Sequence, residues 1–128
     1  MTTAVETATS TITWFEIPAS DFARAIRFYE TLFASPLHHE AAWPNMGIFP
    51  YQRPGISGCV VAGEGHRPCA DGTIVYLNCE GRIDQLLARV EKAGGSIVEP
   101  KNHLPNIGWV AQIRDSEGNR VGLHDPIV

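Results

Sequence analysis

The sequence lacks several features that would have assigned its class at once. No apolar run approaches the ~20 residues of a membrane-spanning helix, so no membrane partner is expected. There is no basic run, and ten Lys and Arg are outnumbered by fourteen Asp and Glu, a formal net charge of −4. That balance argues against nucleic acid and against an anionic membrane surface as partners. Cysteine is sparse: Cys59, Cys69 and Cys79 are an odd number, with no C-x-x-C among them. A disulfide framework or a zinc knuckle is therefore not expected, and a cytoplasmic setting is. Cys59 and Cys79 stand in strand-like runs and read as small buried hydrophobes, whereas Cys69, beside Pro68, reads as an exposed thiol. The first residues have neither the basic nor the apolar segment of a secretory signal. Residues 1–10 are read as a flexible arm.

What is present divides into alternating patterns. Residues 12–17 are aromatic and β-branched and predict a strand ended by Pro18. Ser20 is the expected N-cap of a helix, with Phe22, Ala25, Ile26, Tyr29, Leu32 and Phe33 along one face and Pro36 as its stop. Two short apolar runs, 46–49 and 56–62, lie between Pro and Gly breakers and predict strands. Residues 63–72 have no periodicity and predict a joint. His38-His39 reads as a solvated loop pair, and His66, in the joint, as an exposed side chain.

The pattern then restarts. Residues 73–79 predict a strand, and Ile83, Leu86, Leu87, Val90 and Ala93 predict a second helix stopped by Gly94-Gly95. A short strand at 96–99 should end at Pro100. Strands at 109–114 and 120–124 flank a turn at 115–119, where Gly118 or Asn119 can take positive φ. The two helices begin about 61 residues apart, so one supersecondary unit occurs twice. This predicts one α+β domain over 11–128, module one at about 11–63 and module two at about 72–128. Its paired βαβββ modules form a concave mixed or antiparallel sheet.

Strand alternation sorts the side chains. Phe15, Ile17, Val75, Leu77, Val121 and Leu123 fall on the helix side. Trp14, Glu16, Ile74, Tyr76, Asn78 and His124 fall in the trough. The first set is purely apolar and the second mixes rings with polar groups, as a ligand pocket does. Trp14 and Tyr76 suit stacking on a flat ligand, and Glu16, Asn78 and His124 suit fixing its polar groups. Trp109, on a loop held by Pro105 and Gly108, is placed at the rim. If Glu16 reaches His124, the pair is a candidate for catalytic acid–base work next to a carbonyl.

Three stretches resemble the vicinal-oxygen-chelate superfamily, the glyoxalase/bleomycin-resistance/dioxygenase proteins. Trp14-Phe-Glu-Ile-Pro-Ala-Ser-Asp21 running into Ala25-Ile-Arg-Phe-Tyr-Glu30 is similar to its opening strand and helix. Ile74-Val-Tyr-Leu-Asn-Cys79 is similar to the start of its second module. Asp115-Ser-Glu-Gly-Asn-Arg-Val-Gly-Leu123 resembles its closing hairpin. Pro105-Asn-Ile-Gly-Trp109 resembles a glyoxalase-related subgroup.

The resemblance implies a homodimer, with troughs often completed across a two-fold contact. It also implies where metal-dependent relatives hold their ligands. Those positions fall on Trp14, on Ile74 or Thr73, on Gly122, and within 59–62 of this sequence. Divalent ions need imidazole, carboxylate or thiolate donors; Trp14, Ile74 or Thr73, and Gly122 offer none, and 59–62 offers no His or Glu, so no metal site and no cofactor are expected. A displaced site using Glu16 and His124 has only two donors and is disfavoured.

Three functions follow. The first is metal-independent binding of a small, partly aromatic or apolar ligand. The second is a glyoxalase-type lyase or isomerase using the Glu16/His124 pair or an atypical divalent metal, with lactoylglutathione lyase activity itself not expected. The third is an interaction module whose trough is filled by its own side chains.

Overall fold

The computed structural model describes residues 10–126, so nearly all of the arm expected at 1–10 lies outside the described residues. Its elements are β1 (Glu16–Ala19), α1 (Phe22–Phe33), β2 (His38–Glu40), β3 (Trp43–Ile48) and β4 (Cys59–Ala62), then β5 (Tyr76–Asn78), α2 (Ile83–Ala93), β6 (Ser96–Leu104), β7 (Gly108–Arg114) and β8 (Arg120–Asp125). Two four-stranded mixed sheets result, ordered β1-β4-β3-β2 and β5-β8-β7-β6. Each opens with a parallel pair, β1 with β4 and β5 with β8, and continues antiparallel. This is the βαβββ unit expected from the repeat, formed twice.

Several local expectations are corrected. β1 does not end at Pro18 but runs through it. It is an edge strand bonded on one side only, where the missing N–H costs no ladder bond. For the same reason β6, the opposite edge of the second sheet, continues past Pro100 to Leu104, with register shifts on the way. The cap of α1 is Asp21, not Ser20: its carboxylate accepts from the Arg24 N–H at 3.0 Å. The helix ends before Pro36, at Ala34, which is left-handed (φ 53°). The Ser35 N–H then returns to the Glu30 carbonyl at 3.2 Å. His38 and His39 lie in the edge strand β2 rather than in a loop. The strand expected at 56–62 begins only at Cys59, after Gly58 passes against the Phe15 ring.

Both helices pack on one shared core. Phe28, Tyr29 and Leu32 of α1 and Leu86 and Val90 of α2 are fully buried with Val60, Ile113 and Leu123 from the sheets. Tyr29 stands edge-on to Phe28 and Phe49, with centroids 4.8 and 5.3 Å away, the favoured geometry for such rings. Its hydroxyl donates to the buried Asp115 carboxylate at 2.6 Å. Burial, followed by the Asp115 charge, raises the Tyr29 hydroxyl well above its ordinary pKa.

Asp115 opens the turn between β7 and β8, and that turn stitches the modules together. Asp115 Oδ1 accepts from the Glu117 and Asn119 N–H groups, each at 2.9 Å. Gly118 supplies the positive φ (93°) the turn needs. The Asn119 amide donates to the Pro18 carbonyl of β1 at 2.8 Å. Glu117 sits at the N-terminus of α1, where N–H groups lack helical partners and the dipole favours an anion. It accepts from the Ser20 and Asp21 N–H groups at 3.0 and 2.7 Å, and from Arg24 Nε at 2.6 Å. Burial alone would raise its pKa. The hydrogen bonds from Arg24, the Asp21 N–H, Ser116 and Ser20 outweigh burial and hold it at about 2.

A carboxylate depressed from 4.5 to about 2 contributes stability that is complete above the ordinary value and lost as pH falls through the folded one. Urea unfolding between pH 7 and pH 2 should therefore show stability falling below pH 4.5. Glu117→Gln should cost roughly 1–3 kcal/mol at pH 7 by removing a charge-assisted cluster, and should flatten the acid limb of the curve.

Candidate functional site

The outward faces of the two sheets form the candidate site, and strand alternation holds on both. Ile17, Leu77, Val121 and Leu123 are buried against the helices, and Phe15 and Val75 pack beside them. Glu16, Tyr76 and Asn78 are exposed on the opposite faces, with His124 partly so.

On the first sheet, Trp14 precedes β1 and remains 38% exposed. Its side chain lies near Cys59, the residue level with Glu16 on β4. Burial, then the nearby Glu16 charge, push the Cys59 thiol up to about 11, with Trp14 acting in the opposite direction. Cys59 is thus an inert buried thiol beneath this face, and its neighbour Val61 is buried as well.

Glu16 is not bonded to His124. Its carboxylate meets His66 Nε2 at 3.1 Å, so His66 is a half-buried partner of Glu16 rather than the free, exposed side chain expected of the joint. The His66 Nδ1 atom is buried and has no partner. The sequence offered no sign of this pair, because loop residues 50 positions apart have no fixed phase relative to a strand.

On the second sheet, β5, β8 and β7 align Tyr76, Gly122 and Gln112 across one row. A Cβ at Gly122 would land on the Tyr76 ring, so the aromatic ring lies flat against bare backbone. The Tyr76 hydroxyl accepts from Gln112 Nε2 at 2.8 Å, which fixes the ring while leaving it 44% exposed. The next row pairs Asn78, His124 and Val110. His124 Nε2 faces the Ile107 carbonyl at 2.8 Å and must donate there, leaving Nδ1 as the acceptor of the neutral ring. Asn78 Oδ1 accepts from the Glu80 N–H at 2.9 Å, a local bond that leaves its amide nitrogen available. A cleft of about 400 Å³ runs beside this patch between Tyr76, Gln112, Val110, Asn102 and Lys101.

Trp109 is not at the trough rim. It pairs with Asp125 in the phase of Ala111 and Ile113, which puts it on the helix side. There it packs against His103, with Lys101 Nζ 4.6 Å from its ring centre. Residue 109 opens the strand predicted at 109–114, and counting that strand's alternation back from Ala111 and Ile113 gives its face.

Two of the positions at which the resemblance implies metal ligands carry no donor side chain for a cation. An indole stands at the first ligand position. At Gly122 the second module has a bare backbone covered by Tyr76. Among the described residues, no group of three or more His, Cys, Asp or Glu comes together.

No family model matches the chain, and no curated protein does. Solved structures do. A glyoxalase/bleomycin resistance protein from Albidiferax ferrireducens T118 superposes with TM-score 0.69 at 16% identity, over 89% of this chain and 98% of that one. TnmS3, an antibiotic binding protein from Streptomyces sp. CB03234, gives 0.68 at 21%, over 95% and 100%. A glyoxalase-related enzyme from Fulvimarina pelagi gives 0.65 at 17%, over 90% and 87%. Paired βαβββ modules whose helices share one core define the class. Within it, this chain has the vicinal-oxygen-chelate fold of the glyoxalase/bleomycin-resistance/dioxygenase proteins.

Gly122→Ala should displace the Tyr76 ring and cost about 1–3 kcal/mol through overpacking. Adding Tyr76→Ala should recover part of that loss, a coupling that denaturant melts of the four cycle members will read.

Proposed function

We propose that the chain binds a small, partly aromatic or apolar molecule on the open strand faces, without a metal ion. The supporting observation is the Tyr76–Gly122–Gln112 row. A ring is held by one hydrogen bond and one bare glycine, and it stays half exposed over a cleft of about 400 Å³. An aromatic fixed in advance stacks on a flat ligand with little further entropy loss. Asn78 and His124 Nδ1 supply a donor and an acceptor one row away, and the exposed Trp14 ring is an apolar counterpart beside the other sheet. The fold is shared with an antibiotic binding protein, which is consistent with this use.

The same reading includes a homodimer and a cytoplasmic location. The three thiols are free, as in a reducing compartment. No helix among the described residues is long and apolar enough to cross a membrane.

A second reading, proton transfer of the lyase or isomerase kind, is favoured by the Glu16–His66 hydrogen bond. A carboxylate and an imidazole in hydrogen-bond contact can pass a proton between them, and the Glu16 carboxylate, exposed on the strand face, is the member of the pair open to a bound molecule. In this reading His66, rather than His124, is the partner of Glu16.

A thermal-shift panel of planar aromatic and polycyclic compounds in excess EDTA separates the readings. Binding predicts a rise in Tm unaffected by the chelator, weakened about two- to ten-fold in Tyr76→Ala and in Trp14→Ala, as stacking of ~0.5–1.5 kcal/mol requires. A response that appears only with added divalent metal, or none from any ring-bearing compound, contradicts it.

A further inference from the structure

A second concavity lies away from Tyr76, in the seam between the modules. It encloses about 140 Å³ between β1, the start of β8 and the residues just before β5, and is roofed by the 67–73 stretch. Its inner walls are Ile17, Val75 and Val121. Two cations, Arg67 and Arg120, stand on its lining. Asn119 pins the roof by accepting from the Cys69 N–H at 3.0 Å.

The charges in this seam are unequally satisfied. Glu16, also on the lining, is engaged by His66. Asp71 lies on the exposed outer lip. Arg120 Nε, in contrast, is buried with no hydrogen-bond partner, and Arg67 has none among the described residues. A buried donor without an acceptor is rare in folded proteins and calls for an explanation. Here the unmet need is for an acceptor, and between two guanidinium cations an anionic acceptor is favoured over a neutral one. The guanidinium fork matches a carboxylate with two parallel bonds. The apolar walls beside it suit a short hydrocarbon chain, and the volume limits the guest to a few carbon atoms beyond the carboxylate.

We propose that this seam binds a small monocarboxylate with a short apolar tail, its carboxylate on Arg120 and Arg67 and its tail against Ile17, Val75 and Val121. The site is separate from the cleft beside Tyr76, and its existence does not depend on that cleft binding anything.

The experiment is a thermal-shift and calorimetric titration of the intact chain with sodium propionate and butyrate. Sodium chloride, inorganic phosphate and propylammonium chloride at equal ionic strength serve as comparisons. Saturable stabilisation by the two carboxylates alone is expected. Arg120→Gln should weaken it at least ten-fold, and Arg67→Gln should weaken it measurably. Because Arg67 is exposed in a loop, Arg67→Gln decides the matter should Arg120→Gln fail to fold. Tyr76→Ala should retain the propionate response, which separates this site from the cleft. Equal titrations in wild type and the arginine variants would overturn the proposal, as would phosphate or propylammonium matching propionate, or no saturable response beyond chloride.

Discussion

The turn between β7 and β8 is the constraint on which the rest of the molecule depends. Asp115 holds the turn shut and also accepts the Tyr29 hydroxyl from the middle of the core. Glu117 closes the N-terminus of α1, and Asn119 bonds the backbone of β1 and the joint. One five-residue segment of module two thereby fixes the first strand, the first helix and the connecting loop of module one. An ion pair of this kind on open surface contributes little. This one is different because the Glu117 side chain is fully buried and bonded on both oxygens. Its geometry sets the distance between β1 and β8, and with it the seam that Arg120 lines.

The second determinant is a glycine in a strand. Gly122 has no need of an unusual backbone angle. What it provides is room, since any side chain there would collide with Tyr76. At Gly122, one of the positions where the resemblance implies a metal ligand, this chain has a phenol ring resting on backbone and tied to Gln112. What this row presents is a half-exposed aromatic face with hydrogen-bonding groups at its margin. The fold carries either chemistry, and the side chains at these positions decide between them.

Much of this was readable from residues alone. The repeated βαβββ order, both helix faces and the inward set Glu16, Tyr76, Asn78 and His124 follow from periodicities of 3.6 and 2, which the core enforces over whole elements. The turn at 115–119 was readable from its composition, but its contacts with Tyr29, Arg24 and Pro18 were not, since no local pattern encodes separations of 86 to 101 residues. Proline misled twice in the same way. Pro18 and Pro100 look like strand stops, yet both lie in edge strands that only the sheet order reveals. Trp109 was placed by the loop before it rather than by the alternation of the strand it opens, in which it shares the face of Ala111 and Ile113. The Glu16–His66 bond was invisible because His66 sits in a joint with no periodicity.

The central claim is that the Tyr76 row receives an organic ligand without the help of an ion. Amide chemical-shift mapping on 15N-labelled protein in metal-free, EDTA-containing buffer tests it most directly, using a planar aromatic compound as titrant. The account predicts progressive shifts at the Gly122 amide and the Gln112 side-chain NH₂, spreading to Asn78 and His124. Shifts confined to residues elsewhere, or arising in this row only after a divalent cation is restored, would contradict it.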